Sequence, residues 1–288
     1  MNATLAQLQR LTRQAGARTP VRTDCPVDHP TRSSTNIADL RRILRLREAR
    51  KSVPVARTLD RHLAGEEIAP GLRLVTASLP AELLPSKLDG AFDRKPAFDP
   101  RRVLFFDTET TGLAGGTGTR AFMIGAAHWD QTTLEVRQLL ITTLAAEAAM
   151  LETFASWLDA DTLLASYNGK CYDAPLLRTR YRLARMRDPT AGLEHIDLLY
   201  PARRRYRGVY ENCRLATIER QVLKIVREDD LPGSEAPAAW LGYLRGGSAA
   251  NLRRVAAHNH QDVVTLARLM LHFNAIDNGA TISDSAMA

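Results

Sequence analysis

Cysteine is scarce in this sequence. There are three in 288 residues, Cys25, Cys171 and Cys213, odd in number and far apart. They supply neither a disulfide framework nor a pair of metal-ligating thiols, and they suit a reducing cytosol, so a cytoplasmic location is expected. Long apolar runs are lacking too: nothing approaches the ~18 consecutive apolar residues of a membrane-spanning helix. The opening stretch MNATLAQLQRLTRQAGARTP breaks its apolar positions with Gln, Arg and Thr, so the apolar core of a secretory signal is missing. Internal repeats are absent. What is present, 45% hydrophobic and 25% charged residues, is ordinary for a soluble globular protein and excludes a collagen-like or wholly disordered chain.

Acidic residues are the minority, 32 against 39 Lys+Arg, for a net charge of +7. The excess sits early: residues 1–100 hold 17 basic and 11 acidic side chains, whereas 101–288 hold 22 and 21. A basic extension ahead of a nearly neutral domain makes a polyanion a natural partner. An arginine-rich composition also raises net charge with no nucleic acid bound, so both readings stand at this point.

Proline, threonine and serine dominate the approach to TRSSTN, and residues 1–35 read as mostly without structure. NIADLRRILRLREAR then places Ile37, Leu40, Ile43 and Leu44 at helical spacing, which predicts a helix near 36–51 with an arginine-rich outer face. Residues 52–100 are punctuated by proline, with one strand at GLRLVTA. After Pro100 the pattern changes to strands at RVLFFDTET, RAFMIGAAHWD, TLEVRQLLITT, TLLASYNGK and EHIDLLY, with helices at EAAMLETFASWLDA and DAPLLRTRYRLARM. A long final helix from about Ala249 to Ile276 sets Leu252, Val255, Val263, Leu266, Met270 and Phe273 on one face. The expected organisation is an extension over 1–100, partly disordered, an α/β domain over 101–276 and a disordered tail over 277–288. The domain is a mixed five-stranded sheet flanked by helices, antiparallel on one side and parallel on the other. Sites in such sheets gather at the carboxyl ends of the strands.

Asp107 and Glu109 fall at such an end. Two apart on a strand, they share a face and repel unless a proton or cation lies between them. Oxygen-only ligands favour Mg²⁺ or Mn²⁺. An acidic turn at a strand end is the bland alternative. Asp173, in YNGKCYDAPLL, reads equally as a helix N-cap or as a ligand. Asp262, in HNHQDVVTLARL, lies inside the final helix one turn after His258. Aspartate disfavours a helix interior, although a solvated polar stripe would explain it as well.

Taken together, FFDTETTGLAGGTGTRAFMIGAA, YNGKCYDAPLL, HIDLLYPARR, CRLATIERQVLKIVREDDLPGSEAPAAWLGYLRGG and HNHQDVVTLA resemble the DEDD superfamily of exonucleases with the ribonuclease-H-like fold. More closely, they resemble the YprB-type ribonuclease-H-like domain family, over about 101–275, with GEEIAPGL similar to the segment that precedes that domain. The resemblance implies that Asp107, Glu109, Asp173 and Asp262 hold two divalent ions, Mg²⁺ or Mn²⁺. It implies hydrolysis of phosphodiester bonds in DNA or RNA from the 3′ end, by two ions about 4 Å apart. A catalytically silent nucleic-acid-binding module, or a ribonuclease-H-like endonuclease, is the alternative on the same fold.

In DEDD exonucleases the final aspartate is commonly preceded by a histidine with four residues intervening or a tyrosine with three. Here the first position is Ala257 and the second His258. A histidine in the tyrosine slot is expected to be a general base or to orient the water, with His260 pointing elsewhere. Candidate substrate contacts are Thr108, between the paired carboxylates, and Asn168, which equally fits a turn. The run ARRRYRGVYENCR adds Arg203, Arg204, Arg205, Tyr206 and Arg214, suited to a single strand through phosphate contacts and stacking, or simply a solvated basic loop. His195 and Asp197 are expected to be structural or to support the site. LAGGTGTR lacks the ending of a phosphate-binding loop and leads into a strand, so it reads as a flexible connection.

Overall fold

A computed structural model describes residues 59–278, apart from 82–83, 113–116, 131 and 228–230. The described residues form seven strands: β1 (Glu66–Ala69), β2 (Leu72–Pro80), β3 (Val103–Thr110), β4 (Ala121–Asp130), β5 (Thr133–Ile141), β6 (Leu163–Ser166) and β7 (Glu194–Asp197). They form one sheet in the order β1-β2-β5-β4-β3-β6-β7. The pairs from β1 to β3 are antiparallel, whereas β3–β6 and β6–β7 are parallel. The mixed α/β architecture read from the sequence is therefore the one observed, with seven strands in place of five.

The two extra strands come from the segment N-terminal to residue 101. β2 pairs with β5 residue by residue from Leu72↔Ile141 to Pro80↔Thr133, so its backbone groups are satisfied by the sheet. β1 adds four residues outside it, three of them exposed, and so carries no apolar alternation to be read. The helix expected near 36–51 and residues 279–288 of the expected tail lie outside the described residues.

Among the described residues six α-helices flank the sheet: α1 (Glu147–Ala155), α2 (Asp173–Leu183), α3 (Leu199–Tyr206), α4 (Leu215–Ile218), α5 (Ala236–Leu244) and α6 (Ala250–Asp277). α2 is the crossover that parallel strands β6 and β7 require. No helix among the described residues is long and apolar enough to cross a membrane.

The strand period divides the core. Val103 and Phe105 of β3 pack with Val263, Leu266, Met270 and Phe273 of α6. Leu104 and Phe106 pack on the other face with Met150 and Phe154 of α1 and Leu177 of α2. Each of these large side chains, fully buried, contributes roughly 1.5–3 kcal/mol. The same alternation continues past Phe106 and aims the polar end of the strand: Asp107 and Glu109 project on the α6 side, and Thr108 on the α2 side.

Candidate active site

The β3 backbone delivers Asp107 and Glu109 to the carboxyl end of a central strand, opposite Gly125 and Met123 of β4. Glu109 is only 7% exposed. Asp107 has its carboxyl held well above the usual range, first by burial and then by the charges of Asp262, Asp173 and Glu109. The other three carboxylates therefore all lie close enough to act on Asp107.

Asp173 arrives by a different route. It is the first residue of α2 rather than its cap, and the cap position, Tyr172, makes no side-chain capping bond. Its Oδ1 accepts the Thr108 hydroxyl. Burial raises its pKa to about 6, opposed by that hydrogen bond. The turn leading to it, Asn168–Lys170, is pinned by Asp197, which is fully buried. The Asp197 carboxylate accepts from the backbone amides of Asn168 (2.7 Å), Lys170 (3.1 Å) and Leu199 (3.1 Å). Asn168 itself is left-handed, with φ of 67°. At Gly169 a Cβ would lie 2.4 Å from Ser166 Oγ and 3.1 Å from Asp173 Oδ2, so only glycine lets this turn approach the carboxylate. His195 supports the same corner, with Nε2 2.7 Å from Ser166 Oγ.

Asp107 is oriented by residues that the sequence does not single out. Asn259 Nδ2 donates to Asp107 Oδ2 at 3.0 Å, and Asn259 Oδ1 accepts from Gln138 Nε2 of β5 at 3.0 Å. Gln138 also donates to the Ala256 carbonyl at 2.8 Å. Asn259 is fully buried. It fits because Gly125 of β4 faces it: a Cβ there would stand 2.1 Å from Asn259 Oδ1. Asn259 sits between His258 and His260, but a neutral amide gives no charge signal in a sequence.

Asp262 meets a cation of the protein's own. Arg227 follows a π-helical turn (Glu219–Leu223), and its Nη2 donates to Asp262 Oδ1. Its Nε and Nη2 each donate to the Glu219 carboxylate at 2.7 Å, and Glu219 is 1% exposed. Arg227 Nη1 lies 3.0 Å from His258 Nδ1. A guanidinium only donates, so Nδ1 accepts, and the ring proton sits on Nε2, 3.4 Å from Asp262 Oδ2. His258 and Asp262 do share a helix face. His260 is half-buried and its pKa is lowered by burial.

The arginine run splits. A cavity of about 500 Å³ beside Asn168 is lined by Arg203, Arg207 and Arg214 together with Tyr167 and Leu215. Arg204 instead donates to the Phe92 carbonyl and pairs with Asp93, and Arg205 pairs with Asp277. Tyr206 packs on Tyr210 and Phe273, with its hydroxyl 3.1 Å from His272 Nε2. Arg204, Arg205 and Tyr206 thus engage other residues of the domain, and Arg207, just beyond α3, lines the cavity with Arg203 and Arg214. The described end of the glycine-rich connection is tied down as well. The Thr117 carbonyl accepts from Arg180 Nη1 at 2.9 Å, and Arg180 and Arg120 share Glu147. Residues 113–116 of that connection lie outside the described residues.

Asp107, with Glu109, Asp173 and Asp262 acting on it, is the centre of an oxygen-only donor set, and a hard divalent ion is the partner that relieves such repulsion. The donor set thus fits the ion the sequence implies. Among the described residues no three His, Cys, Asp or Glu side chains already stand as a cation-binding group. Asp262 is engaged by Arg227, and Asp107 by Asn259.

A mixed sheet of this order, with helices on both faces and carboxylates at the end of its central strand, is a ribonuclease-H-like domain. The chain belongs to the RNase_H superfamily, whose family model matches residues 104–274. It is 36% identical over 178 residues to "Uncharacterized protein YprB" of Bacillus subtilis (strain 168), a match covering 62% of this chain and 43% of that protein. The chain thus spans less than half the length of this curated relative. Among solved structures it is distantly similar to the family B DNA polymerase of the archaeon Pyrobaculum calidifontis (17% identity, 71% of this chain, 29% of that chain, TM-score 0.47). It is also distantly similar to E. coli exonuclease I in complex with a dT13 oligonucleotide (16% identity, 53% of this chain, 42% of that chain, TM-score 0.36).

Proposed function

We propose that this protein is a metal-dependent exonuclease that hydrolyses phosphodiester bonds of DNA or RNA from the 3′ end. The observation that carries the reading is the convergence of carboxylates from β3, α2 and α6 on Asp107, a carboxyl raised by burial and then by Asp262, Asp173 and Glu109. Asp107, Glu109, Asp173 and Asp262 would hold two Mg²⁺ or Mn²⁺ ions. When bound, such ions activate water and stabilise the leaving 3′ oxygen. Asn259 and Thr108 orient two of the carboxylates, which places Thr108 as a positioning residue more than as a substrate contact. The cavity lined by Asn168, Arg203, Arg207 and Arg214 receives the phosphates of a single strand. His258, with Nδ1 accepting from Arg227, serves as a water-orienting group; a general-base role would need Arg227 to leave that nitrogen.

The experiment is digestion of 3′- and 5′-end-labelled single-stranded DNA and RNA with Mn²⁺ or Mg²⁺, alongside a chelator control. Stepwise shortening of the 5′-labelled strand, lost with chelator and in Asp107→Asn, is expected. Cleavage of a circular strand would turn the reading to an endonuclease. The Arg227–Asp262 ion pair favours a second reading, a silent nucleic-acid-binding domain, and binding without any cleavage would select it.

A further inference from the structure

We propose that Arg227 is a built-in counter-ion of the carboxylate cluster and sets how tightly Asp262 holds a divalent cation. The inference rests on the reading of Asp262 as a cation ligand, and goes beyond it by giving a role to a residue outside the four carboxylates. Arg227 is anchored from behind. Glu219, 1% exposed, takes two of its N–H groups at 2.7 Å, and Thr265 of α6 donates its hydroxyl to the same carboxylate. The front of the guanidinium then reaches both Asp262 Oδ1 and His258 Nδ1. Asp262 Oδ2 faces the protonated Nε2 of His258, with nitrogen and oxygen 3.4 Å apart. Both oxygens of Asp262 therefore face hydrogen-bond donors, one of them a permanent positive charge.

A divalent ion approaching Asp262 meets that charge and competes for the same oxygen. The opposite partner, Glu219, is too buried to leave its arginine readily, because an unpaired buried carboxylate is strongly disfavoured. Arg227 is thus held at the site whichever cation Asp262 takes. Exchange means a short movement of the guanidinium off Oδ1 while its Glu219 contacts persist.

Calorimetric titration of Mn²⁺ into the full chain after chelation tests this directly. The double variant Glu219→Gln/Arg227→Gln removes the charge without leaving a lone buried ion. It is expected to bind Mn²⁺ roughly tenfold more tightly, the order by which one close charge biases a neighbouring site. Arg227→Lys keeps the charge and is expected to stay within about twofold of the parent, in line with a charge effect. Unchanged or weaker binding by the double variant overturns the proposal, as does equal tightening by Arg227→Lys. Asp262→Asn separates the two levels of the argument. If it lowers Mn²⁺ affinity while the double variant fails to raise it, only the role of Arg227 falls. If Asp262→Asn leaves affinity untouched, the reading of the four carboxylates falls with it. A measurement on the parent chain stands apart from any folding defect: added Mg²⁺ is expected to shift the Arg227 Nε–H resonance while that of Arg180, clamped on Glu147, stays in place. An unmoved Arg227 resonance under saturating Mg²⁺ overturns the exchange.

Discussion

Asp173 occupies a place that favours its protonated form, and this gives the residue a pH signature. Its pKa is about 6 in the folded chain against an ordinary 3.8. Between those values the folded state holds a proton that the unfolded state does not. Stability from this group is present at low pH and is lost as pH rises through about 6, by up to about 3 kcal/mol. Asp173→Asn removes the charge and nearly preserves the shape. In chelator, urea unfolding is expected to find the variant more stable than the parent at pH 8 and close to it at pH 4. A difference of equal size at both values would assign the effect to packing. His195 works in the opposite sense: burial lowers its pKa to about 4, so its contribution is present above 6.5 and is lost as pH falls below it. His195→Gln is expected to flatten that acid limb alone. Of the residues at the site, Asp107, Glu109 and Asp262 were legible because strand and helix periods fix which face a side chain takes. Arg227 and Glu219 were not: their meeting with Asp262 depends on a π-helical turn and on tertiary packing, which no period encodes.

At the scale of elements, β4 and α6 meet through a notch, and α3 sorts its arginines. Gly125 admits Asn259, and Asn259 holds Asp107. Gly125→Ala pushes a methyl into a fully buried amide network, and the expected loss is about 1–3 kcal/mol, the usual cost of disturbing buried hydrogen bonds. Nuclease turnover should fall further than stability alone explains, because the Asp107 orientation goes with it. Thermal unfolding and single-turnover cleavage of the same preparation check both, and an active, less stable variant would reduce Asn259 to a packing role. Arg203 of α3 and Arg207 just beyond it line the cavity with Arg214, while Arg204 and Arg205 bind the domain itself. Replacing the first three by alanine is expected to weaken single-strand binding and reduce its salt slope, by about 0.7 for each phosphate no longer neutralised. Replacing Arg204 and Arg205 should leave that slope alone. The run RRRYR shows its charge in sequence, but a helical turn distributes five neighbouring side chains around an axis, and only the packing partners decide which of them see solvent.

At the scale of the whole molecule, the sheet from β3 to β7 was legible because its strands are either apolar throughout or alternate cleanly, and because a helix must separate parallel neighbours. β2 was visible as a strand, yet its membership of the sheet was not, since pairing with β5 joins residues about sixty positions apart and leaves no local trace. Charge is partitioned on a larger scale still. The chain divides into Met1–Arg57 and Thr58–Ala288. The first part holds 12 Lys+Arg and 4 Asp+Glu, a net of +8, and the remainder is therefore −1 against a total of +7. A ribonuclease-H-like domain close to neutrality draws little long-range attraction for a polyanion, so the first 57 residues are expected to supply most of it. Deleting residues 1–57 should weaken binding of single-stranded nucleic acid and cut the salt slope by about 1–2, equivalent to two or three neutralised phosphates. Cleavage at saturating substrate should remain within about twofold, since all four carboxylates and Arg227 are retained. Fluorescence anisotropy across a salt series, with cleavage rates on the same oligonucleotide, measures both quantities. An unchanged slope would direct the +8 charge to a partner other than nucleic acid. A collapse of the saturating rate would instead place part of the catalytic machinery within those residues.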